Sequence, residues 1–363
     1  MKLALTIVRY FVGGLFIFSG LIKVNDPVGT AIKMEEYFEI FSLEIAGFFH
    51  VFVPYALAIS ILMVVLEVVL GVALIFNYKQ NWTLKSLLAI IVFFTFLTGW
   101  SAITNSVTDC GCFGDAIKLT PWESFIKDIV LLVMIIFLYL SQHDPQSEAA
   151  EKRGHFIVGG TLVLSFGLAL YAVAHLPFID FRAYKVGNHI PTEMQPSAEY
   201  IYEYVMEKDG EEFRFENYPT DPAYKFVAMN HLNPEAAPKI TDFGVWNDDG
   251  DFTSEVFEGS KLFIVLYDVS KSNEECVEDI NNLIKALGNN IEIYALTASD
   301  GSTFETFQQK VNLNIPYFFT DATVLKTITR SNPGLWLLSN GTVKGKWHYN
   351  DVPSYSEVLE LVN

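Results

Sequence analysis

Five long apolar runs in the N-terminal half decide what this chain can fold into. They cover residues 4–22, 51–77, 86–104, 124–141 and 156–177. A helix that crosses the hydrocarbon core of a bilayer needs about 20 apolar residues, so each run is long enough. The first run resembles a secretory signal, but it has no small-residue cleavage site and continues to Lys23, so we expect it to be retained. The sequence predicts five membrane-spanning helices.

Charge divides the chain into two halves. Residues 1–177 contain 10 Lys and Arg against 13 Asp and Glu, whereas residues 178–363 contain 14 against 29. The second half is therefore strongly acidic, which predicts a water-soluble region outside the bilayer. Nucleic acid is excluded as a partner, because an acidic surface repels phosphate.

The basic residues predict the orientation in the membrane. Short cytoplasmic loops carry an excess of Lys and Arg, and the ends that we assign to the cytoplasm hold Lys2, Arg9, Lys79, Lys85, Lys152 and Arg153. The opposite loops hold Lys23, Lys33 and Lys118, so the bias is moderate. We expect a bacterial inner-membrane protein with a cytoplasmic N-terminus. The loop after the third run and the acidic half would then be extracytoplasmic.

Two cysteines lie in the polar loop between the third and fourth runs. Residues 109–115 read Asp-Cys-Gly-Cys-Phe-Gly-Asp, which places Cys110 and Cys112 one glycine apart. On an oxidising face of the membrane, such a pair predicts thiol-disulfide chemistry. A Cys-x-Cys disulfide closes a small, strained ring, so we expect it to be a stronger oxidant than a relaxed disulfide. Free thiols or an inert local disulfide are the alternatives. A zinc site fits less well, because zinc takes four ligands and no other His or Cys lies nearby.

Glu67 is a carboxylate in the middle of the second run. Its neighbours are Met-Val-Val-Leu before it and Val-Val-Leu after it, so it must be protonated or meet a group on another helix. Ionisable groups at membrane depth are costly and often functional. We expect Arg9 of the first run to be its partner. A structural ion pair and a proton or quinone site both remain open.

The same residues resemble a known family. Residues 9–27 read Arg-Tyr-Phe-Val-Gly-Gly-Leu-Phe-Ile-Phe-Ser-Gly-Leu-Ile-Lys-Val-Asn-Asp-Pro, which resembles the opening of DoxX-like proteins. The Glu67 run followed by Cys-Gly-Cys-Phe-Gly at 110–114 resembles the methylamine-utilisation MauE branch of that superfamily. The resemblance covers about residues 4–141 and implies a four-helix membrane bundle. It also implies disulfide formation or electron transfer on extracytoplasmic proteins, with quinone as the candidate cofactor.

The acidic half reads as a linker followed by an α/β domain. Residues 178–238 leave the membrane, and the period-two alternation within 200–230 predicts an accessory β-hairpin. Strands and helices then alternate over 239–363, ending in a hairpin and a helix, which resembles the thioredoxin fold. The predicted domains are therefore a bundle at 1–141, a cytoplasmic loop and fifth span at 142–177, the linker, and an extracytoplasmic thioredoxin-like domain.

The thioredoxin-like domain departs from its family at the redox motif. Where the family has Cys-x-x-Cys before the first helix, residues 268–273 read Asp-Val-Ser-Lys-Ser-Asn. Cys276 lies near the start of a helix predicted over 274–287 but has no resolving partner, so a small buried hydrophobe is the simpler interpretation. Pro333, in Asn-Pro-Gly at 332–334, lies where the fold places a cis-proline. These features predict a degenerate module that binds a partner.

Two functions follow from these features. The first is a membrane-bound thiol-disulfide or electron-transfer protein in which Cys110 attacks or is attacked and Cys112 resolves. Its partners would be extracytoplasmic protein thiols, with quinone near Glu67 as electron carrier. The second is a non-enzymatic membrane anchor or assembly factor whose soluble domain recruits a protein. In that case the cysteine pair is a structural staple.

Overall fold

The computed structural model describes residues 2–107, 111–141 and 148–362. By its internal contacts the chain divides into two compact units, Met1–Phe181 and Arg182–Asn363. The first unit is helical and apolar, and the second is rich in β-sheet.

The helices of the first unit include four that are long and apolar enough to cross a membrane. These are Lys2–Asn25, Gly47–Ile75, Gln80–Thr104 and Glu151–Ala174. The helices in chain order are α1 (Lys2–Asn25), α2 (Pro27–Glu44), α3 (Ala56–Ile75), α4 (Gln80–Thr104), α5 (Pro121–Leu140) and α6 (Glu148–Ala174). A 3-10 helix, Gly47–Tyr55, leads into α3 and extends its apolar run.

The predicted span at 124–141 is present as helix α5 but differs from the other four. It carries Glu123, Lys127 and Asp128 in its first two turns. Charged side chains are costly in the hydrocarbon core, so these three charges, and not a lower hydrophobicity, set α5 apart from the other spans. Four apolar helices are established, and five crossings stay a prediction.

Helices α1 and α3 pack backbone against backbone through glycines. A Cβ atom added to Gly71 would lie 2.7 Å from the carbonyl oxygen of Gly13, and one added to Gly20 would lie 2.9 Å from the Val68 nitrogen. Small residues at such contacts let membrane helices approach closely. This close approach brings the side chains of the first run up to the Glu67 face of α3.

We expect Gly71→Val to separate α1 from α3. The added methyl groups would overlap the α1 backbone at Gly13, and overpacking of this kind costs about 1–3 kcal/mol. Unfolding of the purified protein in detergent measures the loss. Gly14 is the matched control, because a Cβ added there meets nothing within 4 Å. A Gly71→Val variant as stable as Gly14→Val would contradict this packing.

Among the described residues, two of the apolar clusters join three or more helices of the bundle. One joins α1, α3, α4 and α5 around Leu74, Leu87 and Ile135. The other joins α1, α3 and α6 around Val24, Val64 and Ala169. Many large apolar side chains point outward instead, including Leu140 of α5 and Leu164 of α6. Outward apolar faces are what a helix in contact with lipid requires.

The second unit begins with a three-stranded antiparallel sheet of order β2-β1-β3. Its strands are β1 (Tyr202–Lys208), β2 (Glu211–Phe215) and β3 (Lys225–His231). The prediction of a hairpin for 200–230 was therefore incomplete. The alternation identified strands, but it carries no information on how many pair, and β3 adds to the free edge of β1.

A mixed sheet forms the centre of the second unit. Among its described residues seven strands follow the order β10-β9-β6-β7-β8-β4-β5. They are β4 (Trp246–Asn247), β5 (Gly250–Asp251), β6 (Ser260–Leu266), β7 (Glu292–Thr297), β8 (Tyr317–Phe319), β9 (Gly334–Ser339) and β10 (Thr342–His348). Strands β6, β7 and β8 are parallel to one another, and β9 is antiparallel to both of its neighbours, β6 and β10.

Helices cover both faces of this sheet. They are α7 (Ile190–Glu193), α8 (Val277–Leu287), α9 (Gly301–Val311), α10 (Ala322–Ile328) and α11 (Tyr355–Val362). Alternate residues of β6 face opposite cores: Leu262 and Ile264 pack with α8, α9 and α11, whereas Phe263 and Val265 pack with α10. Burial on both faces explains why β6 reads as a continuous apolar run rather than an alternating one.

Candidate functional site

Glu67 forms a buried ion pair with a lysine of the first helix. The Nζ atom of Lys23 lies 2.6 Å from Oε1 of Glu67, and the two side chains are 7% and 2% exposed. The ammonium group also lies 4.9 Å from the centre of the Phe94 ring. Both charges are thus shielded from solvent and compensated by each other.

The prediction that Arg9 pairs with Glu67 is wrong. Arg9 and Lys23 lie on the same helix, 14 residues apart, which at 1.5 Å per residue is about 21 Å. The close contact of α1 with α3 places Lys23, not Arg9, opposite the carboxylate. The guanidinium of Arg9 instead lies 5.7 Å from the centre of the neighbouring Tyr10 ring.

Ser19 links this ion pair to the cysteine loop. Its Oγ atom lies 3.1 Å from Oε2 of Glu67 and 2.9 Å from the carbonyl oxygen of Cys112. Ser19 is one turn before Lys23 on α1, so both side chains face α3. The loop backbone is therefore attached to the bundle at Cys112.

Cys112 carries a free, partly exposed thiol beside a lysine. The ammonium group of Lys127, on α5, lies near Cys112. It also lies 2.7 Å from Oδ1 of Asp128 and 5.3 Å from the centre of the Phe113 ring. Asp128 is 1% exposed and accepts a second bond at 3.0 Å from the hydroxyl of Thr98 on α4.

Cys110, the other predicted thiol, lies outside the described residues. The described part of the loop begins at Gly111, turns through a hydrogen bond from the Gly114 N–H to the Gly111 carbonyl at 3.0 Å, and pairs Phe113 with Ile117. This turn holds Cys112 in place beside the start of α5.

In the second unit, residues 268–273, where we expected a Cys-x-x-Cys motif, lie against Asn332. The amide group of Asn332 donates to the Asp268 carbonyl at 2.6 Å, and the Asn273 N–H donates to the Asn332 carbonyl at 3.0 Å. The Asn332–Pro333 peptide bond is cis. The structure thus brings together the two segments that the sequence singled out.

Cys276 is the N-cap of α8, which begins at Val277, three residues later than predicted. Its thiol donates to the Asn273 carbonyl at 3.1 Å. Burial raises the pKa of this thiol to about 11, and the carboxylate of Asp279 adds to the shift. A thiol that remains protonated is a poor nucleophile, so the position at a helix start does not activate it.

Five side chains surround the predicted residues but were not predicted as site residues. They are Ser19, Lys23, Thr98, Lys127 and Asp128. A signal existed for two of them. Lys127 and Asp128 interrupt an otherwise apolar run just after the cysteine loop, and such residues in a membrane helix point to function. Ser19 and Thr98 carry no comparable signal.

Comparison with known proteins identifies the first unit. Residues 1–141 match the family model described as methylamine utilisation protein MauE. This part of the chain is a MauE family domain, which confirms the family resemblance, and the chain is a membrane protein with an additional sheet-rich unit.

One curated relative is similar over a longer stretch. Protein TlpB of Flavobacterium psychrophilum is 26% identical over 193 residues, which is 50% of this chain and 48% of that protein. The chain therefore spans about half the length of this relative. No solved structure matches the chain.

Proposed function

We propose that this protein exchanges thiols and disulfides with extracytoplasmic proteins through Cys110 and Cys112. The observation that carries the proposal is the setting of Cys112, whose thiol is free and partly exposed on a turn that Ser19 ties to the bundle. Thiol-disulfide exchange requires an accessible sulfur of this kind. The MauE family domain and the orientation predicted from the basic residues are compatible with this role.

The second unit supports a recruiting role in the same process. Its order of elements, with β6, α8, β7 and α9 followed by β9, β10 and α11, resembles the thioredoxin fold. Segment 268–273 carries no cysteine, and the pKa of the Cys276 thiol is raised. We therefore assign it to partner binding and the exchange reaction to the loop cysteines.

Quinone, the electron carrier implied by the family resemblance, does not fit the Glu67 site as described. Both carboxylate oxygens of Glu67 already have partners in Lys23 and Ser19. The two charged side chains are almost fully enclosed by the bundle. A quinone headgroup could not reach them without breaking the pair, so we assign no step to it there.

The proposal predicts covalent adducts that form through Cys110 and are resolved by Cys112. Cys112→Ser removes the resolving thiol, so mixed disulfides between Cys110 and partner proteins should accumulate. Cys110→Ser combined with Cys112→Ser should abolish them. Membranes are quenched with acid and alkylated, and adducts are separated on non-reducing gels. An impermeant maleimide added to intact cells should reach Cys112 after mild reduction.

Cys276→Ser is the control for these variants, since it removes a thiol outside the loop and should leave the adducts unchanged. Adducts that persist in the double serine variant would contradict the proposal. So would a loop that the impermeant reagent never labels in intact cells.

A non-enzymatic assembly factor is the second candidate. The observation that favours it is the half-buried, unactivated Cys276 in a unit without a second cysteine. In that case the double serine variant would retain partner capture, and deletion of 239–363 would abolish it. The double serine variant thus distinguishes the two candidates, because the first predicts loss of the adducts and the second predicts retained capture.

A further inference from the structure

We infer that the three-stranded sheet of the second unit, β2-β1-β3, binds an extended segment of a partner protein in which basic and apolar residues alternate. The segment adds to this accessory sheet as a further strand beside β3. This inference rests on the proposed function. It adds to that function the surface that recruits the partner and the chemistry of the segment that is recruited.

One face of the accessory sheet is apolar and mostly aromatic. Alternate residues of a strand, and residues directly opposite each other on paired strands, lie on the same face. By this register the aromatic face includes Tyr202, Tyr204, Phe213, Phe215, Phe226 and Met229. Two rings of the loop between β2 and β3 lie against it: Tyr218 is 5.5 Å from Tyr204, and Tyr224 is 5.0 Å from Phe215, measured between ring centres.

The aromatic face is open to solvent along β3. Phe226 and Met229 are 55% and 51% exposed, and Tyr218 is 57% exposed. Within the described part of the second unit, none of these three side chains belongs to either of the two apolar cores. Aromatic residues and methionine are enriched where proteins bind one another, and a contiguous exposed group of them marks such a surface.

The opposite face of the accessory sheet is polar and acidic. Glu203 accepts hydrogen bonds there from Arg214 of β2 and Asn230 of β3, both at 3.1 Å. Residues 200–232 contain seven Asp and Glu against three Lys and Arg. Two of these three bases, Arg214 and Lys208, already pair with carboxylates of the same region. The sheet therefore presents a net negative charge to a partner.

Strand β3 provides the edge to which a partner strand adds. It is an edge strand of the accessory sheet, with β1 as its neighbour. An edge strand has backbone N–H and C=O groups that can pair with a further strand. The other edge, β2, carries Glu211, Glu212 and Arg214, and charges of this kind discourage pairing. Strand β3 has no carboxylate.

The two faces together specify the chemistry of the segment. Side chains of an added strand point alternately to the two faces of the sheet. On one face they lie beside Phe226 and Met229, and on the other they extend over Asn230 towards Glu203. Apolar residues suit the first face and basic residues suit the second. A second copy of this chain or an anionic lipid surface would place negative charge against an acidic sheet.

The test is peptide binding to the full-length protein in nanodiscs of phosphatidylcholine, with all three cysteines replaced by serine. The probe is a short fluorescent peptide of alternating lysine and valine, and anisotropy gives its Kd. Phe226→Ser combined with Met229→Ser should raise the Kd about tenfold, because exposed apolar anchors dominate such contacts. A peptide with glutamate in place of lysine should bind at least about tenfold more weakly.

Two controls make the result specific to the aromatic face. Tyr355→Ser removes an aromatic side chain that is 41% exposed and lies on α11, outside the accessory sheet, so the Kd should not change. Phe226→Leu combined with Met229→Leu keeps apolar side chains and should retain most of the affinity. Since the replaced side chains of β3 are more than half exposed, stability should change little, which thermal unfolding checks.

Three results would overturn the inference. One is an equal Kd for the parent and the Phe226→Ser, Met229→Ser variant, or for the basic and acidic peptides. The second is a polarity-sensitive dye on Met229→Cys that reports apolar surroundings in nanodiscs before peptide is added, since the bilayer would then cover the face. The third is a dimer in detergent that the double serine variant of β3 dissociates, since a second copy would then cover it.

The outcomes separate this inference from the proposed function, because peptide binding is measured in protein that lacks the native cysteines. Peptide binding as expected, with no cysteine-dependent adducts in membranes, would contradict the proposed function alone. Intact adducts with no peptide binding would contradict this inference alone.

Discussion

Replacing Lys23 with methionine should lower the free energy of unfolding by about 3–5 kcal/mol. The change leaves the Glu67 carboxylate, 2% exposed, without its counter-charge inside the bundle. Removing one partner of a buried pair is strongly destabilising, because the remaining charge is neither solvated nor compensated. Unfolding of the purified protein by titration with a denaturing detergent measures the effect.

Lys33→Met is the matched control. Lys33 forms an ion pair with Glu36 at 3.3 Å, but both side chains are more than a third exposed, at 34% and 39%. Exposed pairs of this kind contribute about 0–1 kcal/mol. A loss in Lys23→Met no greater than in Lys33→Met would contradict the assignment of Lys23 and Glu67 as a buried, mutually compensated pair.

The double variant Lys23→Met, Glu67→Met separates structure from function. Replacement of a whole buried pair by apolar side chains of similar volume is often neutral or stabilising, so stability should return to within about 1–2 kcal/mol of the parent. If adduct formation returns with stability, the pair is structural. If stability returns alone, the pair takes part in the exchange reaction.

Cys276 should react with iodoacetamide about a hundredfold more slowly than an ordinary thiol at pH 7. Its pKa of about 11 exceeds the usual 9.0, and only the thiolate reacts. Because the pKa is raised, the thiolate is scarce below it, and the rate should rise about tenfold per pH unit towards pH 11. The variant that lacks Cys110 and Cys112 makes Cys276 the sole thiol.

The denatured form of the same variant is the control. Unfolding exposes Cys276 to water and removes the burial that raises its pKa, so the rate should return to that of a free peptide thiol. A folded protein that already reacts at the peptide rate would contradict the assignment. It would also restore Cys276 as a candidate exchange residue of the second unit.

The sequence predicted features that depend on length and hydrophobicity. Strand β6 is buried on both faces, as its uninterrupted run from Leu262 to Leu266 indicated. The apolar helices α1, α3, α4 and α6 follow from the same reasoning. In each case the pattern lies within one element, so no knowledge of its neighbours is needed.

Side-chain contacts between different helices could not be predicted from the sequence. Glu67 required a partner, but two basic residues of the first run, Arg9 and Lys23, were available. Which of them faces the carboxylate depends on the register of α1 against α3, and the glycine contact at Gly71 sets that register. Likewise Lys127 meets Cys112 only because the loop folds back onto α5, which no local pattern encodes.

The hydroxyl group of Ser19 has a single hydrogen but two acceptors within reach, Glu67 and the Cys112 carbonyl. It can donate to only one of them at a time. The hydrogen bond to the buried carboxylate and the hydrogen bond that tethers the thiol-bearing turn therefore compete for the same proton. By thermodynamic linkage, whatever weakens the bond to Glu67 strengthens the tether, and whatever releases the tether strengthens the bond to Glu67 to the same extent.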